Sequence, residues 1–534
     1  MNVTFLQLDS SVKAIRVFVI FFVPLFFLVA SLVVFSTIAI IVDEQKRQIG
    51  GVKALGLYNK EISVKFVVFA LTGTVIGYAL GIGFGCGLTA VIREPMMEGL
   101  YIDQKSSALS VFPMVLLAIG TLAMSTMVAI MACRKLLKCS AIGLINGSEP
   151  QPKIMKGGSG FVKKDGNLYS NLIFNNMRMD ISRVIVTAIV ILGCSTLIGF
   201  GITLKHAYSA SVYEQVNNVN NYTIQVVWDD DTKHYEKKLK EKVQETGGIY
   251  VEACFTEGMI ELEGVNEGLY LIAGENEDLK KVILITDLNK QEIDLPKDGI
   301  LLPKKSYSRL HGADEVKILD RKLYTYNAPV SGPYFGYIGC VALCDPANYE
   351  ALYGKEYEPN SLYMKWDDVS TGEAEEYIRE ISDKIRILKP DYVTDAGDSV
   401  DVLLDIVAGI CVFLSILLSL MILINYTNIL VSRRMKEMLV MRINGFSLKE
   451  VIGYVAKESA AITAFGIILG TVFGILFSYF AVSAMENTYT SFVRTPYPPA
   501  WIFAIIFNIV FAIIIDLIAF RKIGKVPLTD VNKY

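Results

Sequence analysis

"VDEQKRQIGGVKALGLYNKEI" (residues 42–62) is a charged, glycine-marked stretch directly after a long apolar run, and "LVSRRMKEMLVMRINGFSLKEVI" (430–452) is a second stretch in the same setting. A shift of 389 residues lays one on the other: Lys53 on Arg442, Gly56 on Gly445, Lys60 on Lys449, Glu61 on Glu450 and Ile62 on Val451. The register carries into the next apolar run, where Gly77, Gly81 and Gly85 fall on Gly466, Gly470 and Gly474. After a slip of two residues, Arg134, Lys135 and Lys138 meet Arg521, Lys522 and Lys525. Self-similarity at a fixed distance marks a repeated structural unit. Residues 17–145 and 402–532 therefore read as two copies of one three-span unit.

The apolar runs set the class. The chain has 534 residues, 52% of them hydrophobic, and a mean hydropathy of +0.43. Crossing a bilayer core takes about 20 helical residues. Seven segments are long enough, at about 17–42, 64–92, 109–133, 183–205, 402–431, 452–483 and 499–520. The expected fold is an α-helical polytopic membrane protein of about seven transmembrane helices with an α+β extracytoplasmic domain. The expected divisions are a first three-span repeat over 1–150, a cytoplasmic linker over 151–165, an interfacial helix plus span over 166–205, the outer domain over 206–400, and a second three-span repeat over 401–534.

Charge placement sets the orientation. Lys46, Arg47, Lys53 and Lys60 follow the first span, Arg134, Lys135 and Lys138 the third, Arg433, Arg434, Lys436 and Arg442 the fifth, and Arg521, Lys522 and Lys525 the seventh. Lysine and arginine near span ends favour the cytoplasm. The C-terminus is thus expected inside and the polar block 206–400 outside. Met1 is also expected outside, a placement that Lys13 and Arg16 oppose. Cys254, Cys340 and Cys344 in that block stand as free thiols or with one bridge from Cys254 to Cys340 or Cys344.

In each copy a span reaches the cytoplasmic surface, a charged helix follows, and Gly56 or Gly445 closes it. Glycine adopts the left-handed cap most readily. A second helix, "KEISVKF" or "KEVIGYV", then re-enters the membrane. Gly73, Gly77, Gly81 and Gly85 line one helix face, as do Gly466, Gly470 and Gly474, because residues four apart share a face. Small residues at that spacing let membrane helices approach closely, so both ladders are expected to be helix-packing sites.

The outer block is acidic, which serves solubility. "YTIQVVW", "GIYVEACF", "MIELEGV", "GLYLIAG", "GILLP" and "SLYMKW" read as strands. "DTKHYEKKLKEKVQETGG" reads as a helix with Asp231 as N-cap and Gly247 as stop, and "STGEAEEYIREISDKIRIL" as another. "GNLYSNLIFNNMRMDISRVIVTAIV" (166–190) has the spacing of an interfacial amphipathic helix running into a span, after the flexible "EPQPKIMKGGSG".

Several chemistries are excluded by sequence. There is no GxxxxGK[ST] phosphate loop, GxSxG or HExxH. His206, His234 and His311 are far apart, and no metal-ligand spacing occurs. The chain is therefore expected to be no enzyme, with no catalytic residue, no metal site and no nucleic-acid partner. Asp516, near the end of the last span, is expected to pair with a local cation, Arg521 or Lys522.

The ordered motifs resemble the FtsX/MacB-type ABC-transporter permeases. The family's "R..IG.LKALG" element stands here as "KRQIGGVKALG" (46–56) and, more loosely, as "RMKEMLVMRINGFS" (434–447). Its "NL.RN..R" helix stands as "NLIFNNMRMDISR" (171–183), and its outer "DG" turn resembles "PKDGILLPKKSYSRLHGADEV" (296–316). The resemblance implies four-span units, of which 166–534 is a complete one and 1–150 only the last three spans of another. A companion chain supplying a first span and first outer domain is an expected partner. The resemblance also implies an ABC-type ATPase homodimer on the cytoplasmic face, which supplies ATP and Mg while this chain binds no cofactor. Gln48, Ile49, Lys53, Gly56, Lys60 and Glu61, with Glu437, Arg442, Gly445, Lys449 and Glu450, would form the ATPase-coupling surface. The expected function is a permease subunit in the cell membrane, coupling ATP hydrolysis to export of, or mechanical action on, peptides, lipids, lipoproteins or antibiotics. The alternatives are a regulator that activates an external cell-wall hydrolase without transport, and an inactive truncated permease.

Overall fold

The computed structural model describes residues 19–97, 111–145, 181–390, 397–486 and 490–524, less a few positions between 21 and 43 and residue 138. Its helices are α1 (Lys46–Ala54), α2 (Asn59–Met97), α3 (Val111–Leu137), α4 (Ala141–Ile145), α5 (Ile181–Glu214), α6 (Glu236–Glu245), α7 (Asn276–Val282), α8 (Lys304–Ser308), α9 (Pro346–Tyr353), α10 (Thr371–Arg379), α11 (Gly397–Ile443), α12 (Leu448–Met485) and α13 (Pro498–Gly524). Its strands are β1 (Ile224–Val227), β2 (Ile249–Leu262), β3 (Val265–Ala273), β4 (Ile300–Pro303), β5 (Glu315–Asp320), β6 (Thr325–Tyr334), β7 (Val341–Cys344), β8 (Ser361–Lys365) and β9 (Arg386–Leu388).

Among the described residues, six helices are long and apolar enough to cross a membrane: α2, α3, α5, α11, α12 and α13. Within the expected first span only a shorter apolar helix, Phe26–Ala39, is described. The expected interfacial helix falls mostly outside the described residues, and its end, 181–190, opens α5. The linker 151–165 lies outside them as well. The division points near 205 and 400 fall inside helices, because α5 continues to Glu214 and α11 begins at Gly397. At 1.5 Å per residue, the 47 residues of α11 span about 70 Å, twice a bilayer core. α5 and α11 are thus stalks as well as spans.

Between the stalks sits an α+β domain. β2 is the pivot. Its first five residues pair with β8, and its remainder pairs with β3 and β5. The pairings β2–β3–β7–β4–β6–β5–β2 close a ring, and β8, β1 and β9 extend from the start of β2. Two expected strands, "GIYVEACF" and "MIELEGV", are therefore one continuous 14-residue strand. Period-two alternation sorts the strand residues between cores: Leu269, Leu271 and Ala273 pack with Ala342 and Cys344 on one face, while Ile272 and Leu343 join Phe255 and Tyr363 on the other. α6 and α10 cover the extension through Leu239, Val243, Ala374 and Ile378, packed on Ile224, Val226, Leu362 and Met364. Gly247 stops α6 in the left-handed region, as expected. Its start differs from expectation: Asp229, not Asp231, accepts from the Thr232 backbone N–H, and a 3-10 turn intervenes. Cys254, Cys340 and Cys344 are buried free thiols.

α5 is the hub of the second membrane half. Of its apolar window, 78% is buried, against 11% for α2. It is held by close backbone approach. A Cβ added at Gly466 of α12 would lie 3.0 Å from the Ile191 Cβ, and one at Gly470 would lie 2.9 Å from the Ser195 Cβ. On its other side, one at Gly201 would lie 2.8 Å from the Cys411 Cβ of α11. Asn508 of α13 donates to the Ser195 Oγ at 3.1 Å, so the seam is polar as well as close-packed.

Candidate functional site

The two repeated turns are built alike. In the first copy α1 ends at Ala54, and Gly56 takes φ +98° with its N–H on the Lys53 carbonyl. In the second, α11 ends at Ile443, and Gly445 takes φ +94° with its N–H on the Arg442 carbonyl. Phe446 N–H adds a bond to the Met441 carbonyl, completing a Schellman cap. A Cβ at either glycine meets open space, so it is backbone conformation, not crowding, that selects glycine there.

The expected coupling residues separate into two groups. Gln48, Gly56, Lys60, Gly445 and Lys449 are exposed. Ile49 is buried, and Lys53 turns inward to donate to the Leu137 and Cys139 carbonyls at 2.8 and 2.6 Å. It thereby ties α1 to the end of α3. Glu61 and Glu450 fold back on their own helix starts and accept from the Tyr58 and Ser447 N–H groups, each at 2.8 Å. Those hydrogen bonds hold the Glu450 carboxyl below its ordinary value. Arg442 is partly buried, and the Glu437 side chain is outside the described residues.

Two features escaped the sequence reading. Gly50 lets α1 seat on α4, where an added Cβ would lie 2.9 Å from the Ile145 side chain. The turn tips also expose apolar side chains: Leu55, Leu57 and Tyr58 in the first copy, Ile443 and Phe446 in the second. Leu57 and Phe446 share the repeat register, which was the available signal.

The glycine ladders differ. Gly466, Gly470 and Gly474 are buried against α5 and Trp501. The tight packing expected at Gly73, Gly77, Gly81 and Gly85 is not met among the described residues, since a Cβ there finds nothing within 4 Å. The reason is physical: no helix stands on that face of α2 as α5 stands on α12.

At the far end of α12, a clamp joins the spans to the sheet domain. The Glu486 side chain is 2% exposed. It accepts from Lys305 Nζ of α8 at 2.6 Å, from Arg494 Nε at 3.0 Å and from the Phe492 N–H at 3.1 Å. Burial alone would raise its pKa, but the hydrogen bonds from Arg494 and Lys305 outweigh this and hold it below the usual glutamate value. Beside it, buried Gln215, just past α5, accepts from the Tyr337 and Ile338 N–H groups at 2.9 and 3.2 Å. Val493 N–H donates to the Ser211 Oγ at 2.8 Å. Lys205 of α5 also pairs with Asp405 of α11. Inside the bundle, the partner seen for Asp516 is Ser459 of α12, in place of the expected cation.

The family model described as FtsX-like permease C-terminal matches the chain twice, over residues 20–135 and 409–528. A search of the curated proteins finds no match. The two matched regions contain the two helix–glycine–helix turns and both ladders, so the internal repeat and the family matches coincide. The two matches, together with the apolar helices that carry them, identify the chain as a two-unit membrane permease of the FtsX/MacB-like kind.

Proposed function

We propose that the chain is the membrane subunit of an ABC-type machine in the cell membrane. A separate ATP-binding subunit, acting as a homodimer, supplies ATP and Mg and presses on the two turns from the cytoplasm. The C-terminus is inside and the sheet domain outside, as the positive charge near alternate span ends favours. One observation carries the reading: α11 and α12 meet in the capped turn at Gly445, and their other ends are built into the sheet domain. α11 reaches the domain as a stalk, and α12 ends in the Glu486 clamp. A push on the turn is thereby delivered to the domain.

The exposed Gln48, Gly56, Lys60, Gly445 and Lys449, with Leu57 and Phe446 at the tips, are the contact surface. Lys53 and Glu450 act through the backbone they hold and serve as positioning residues. The cargo class is amphiphilic: peptides, lipids, lipoproteins or antibiotics. A cavity of about 30 Å³ lined by Thr187, Ser419, Ser459 and Asn508 has room for about two waters. That size favours action on cargo from the outer domain over passage through the second bundle. The same observation supports a second reading, in which the moving domain activates an external cell-wall hydrolase.

The test is co-purification in mild detergent of the tagged chain with the ATPase encoded beside it, for the unaltered chain and for a Leu57→Asp, Phe446→Asp version. Retention by the first and loss by the second is expected. Failure of the unaltered chain to hold the ATPase overturns the reading.

A further inference from the structure

The two glycine ladders occupy the same repeat positions, and one of them shows what such a ladder holds. Gly466, Gly470 and Gly474 receive α5 with Ile191, Ser195 and Thr196 in register, close enough that no Cβ would fit. Gly77, Gly81 and Gly85 have the same spacing on α2 and face open space. The rest of α2 is oriented as in the second copy. Its Thr74 and Tyr78 stripe is taken by α3, through Thr74 to Ser125 at 2.8 Å and Tyr78 to the Met114 carbonyl at 2.5 Å. The glycine face therefore points to the side where α5 stands in the second copy. The masked segments 98–110 and 146–180 hold no apolar run of spanning length, so the occupant is not among them.

We propose that the Gly77–Gly81–Gly85 face is a docking groove for one membrane-spanning helix of a separate companion polypeptide. That helix is uncharged through the bilayer and presents β-branched and hydroxyl residues at four-residue spacing, as Ile191 and Ser195 do on α5. Between apolar helices in lipid, such a seam is selected by close backbone approach and interhelical hydrogen bonds, not by hydrophobicity. This is why a leucine-rich span would not substitute. The inference is independent of any ATPase.

The probe is the α5 segment itself, residues 181–214, expressed as a separate tagged membrane peptide carrying Ser195→Cys and Cys194→Ala. The partner is the full chain with Cys86→Ala and Cys139→Ala, carrying either Gly81→Cys on the ladder or Ala79→Cys on another face. Oxidation in membranes is expected to cross-link the probe to Gly81→Cys and not to Ala79→Cys. Adding Gly77→Leu is expected to cut the yield at least about tenfold, because a leucine overfills the groove. Cross-linking of Gly81→Cys chain to chain would show that a second copy covers the ladder, overturning the proposal. Absent cross-linking, or equal cross-linking at both positions, would show that lipid covers it, which overturns the proposal equally.

Discussion

Gly81 and Gly470 stand at the same place in two copies of one helix, yet the same substitution should have opposite consequences at the two sites. At Gly470 an added Cβ lies 2.9 Å from Ser195 and 3.0 Å from the Leu192 backbone, whereas at Gly81 it meets nothing. A small-residue ladder is thus an offer of packing, and whether it stabilises depends on a partner helix the repeat does not encode in itself. The largest effect expected follows from this. Gly470→Leu drives a side chain into the α5 backbone and should cost about 3 kcal/mol or more. Gly81→Leu should stay within about 0.5 kcal/mol in the chain alone. Thermal unfolding followed by size exclusion in detergent compares them, and equal losses would break the contrast.

The outer ends of the halves differ next. The repeat shift places Met97 on Glu486, so the buried clamp belongs to the second half by sequence. Glu486→Gln leaves Lys305 and Arg494 partly buried without their carboxylate. We expect a loss of about 2–3 kcal/mol, since hydrogen bonds to charged groups are the stronger kind and the two cations are only about a quarter exposed. The pH dependence has a definite sign. The folded pKa lies below the ordinary 4.5, so the stabilisation is complete above that value and is lost as pH falls through the folded pKa. The unaltered chain and Glu486→Gln should therefore converge below about pH 4.5 in thermal melts.

At the inner ends, Lys53 sharpens the comparison. It donates to two carbonyls at the end of α3, and Lys53→Met should cost about 2 kcal/mol by leaving them without that donor. A change of Lys60, exposed on the same turn, should leave stability within about 0.5 kcal/mol. Proteolysis at the α1–α2 turn would separate the two outcomes. A Lys53→Met chain as resistant as the Lys60 variant would show that the pairing does not fix α1.

What was legible followed from periodicity. Six of the seven expected spans, the two capped turns and most of the ring strands could be found from apolar runs, a 389-residue shift and period-two alternation. What was missed depended on contacts between distant parts of the chain. β6, "TYNAPVSGPY", carries proline and glycine that disfavour strand, and it forms because β5 and β4 pair on either side of it. β2 was divided at Thr256–Gly258 because glycine reads as a break. There a Cβ would lie 2.5 Å from the Leu319 carbonyl, so the close crossing with β5 requires that glycine within a continuous strand. Lys53 looked like an exposed cation because nothing in its neighbourhood announces carbonyls 84 and 86 residues away. The empty first ladder was illegible for the same reason, as spacing shows a face but not its occupant.

The smallest difference lies at the first residues of α2 and α12. Ser447 caps α12 with a full capping box: its hydroxyl accepts from the Glu450 N–H at 3.3 Å, and Glu450 returns a bond to the Ser447 N–H. The first copy has Tyr58 in that register, and only the returning half exists, from Glu61 to the Tyr58 N–H. Ser447→Ala should therefore cost about 1 kcal/mol, and Tyr58→Ser should gain up to about the same amount by completing the box. The exchange also separates stability from surface, because Tyr58 is 76% exposed beside Leu57 at the turn tip. If the tip is the contact for an ATP-binding subunit, Tyr58→Ser stabilises the helix start while weakening retention of that subunit. If the tip contacts lipid or solvent only, the same change raises the melting temperature and leaves co-purification untouched.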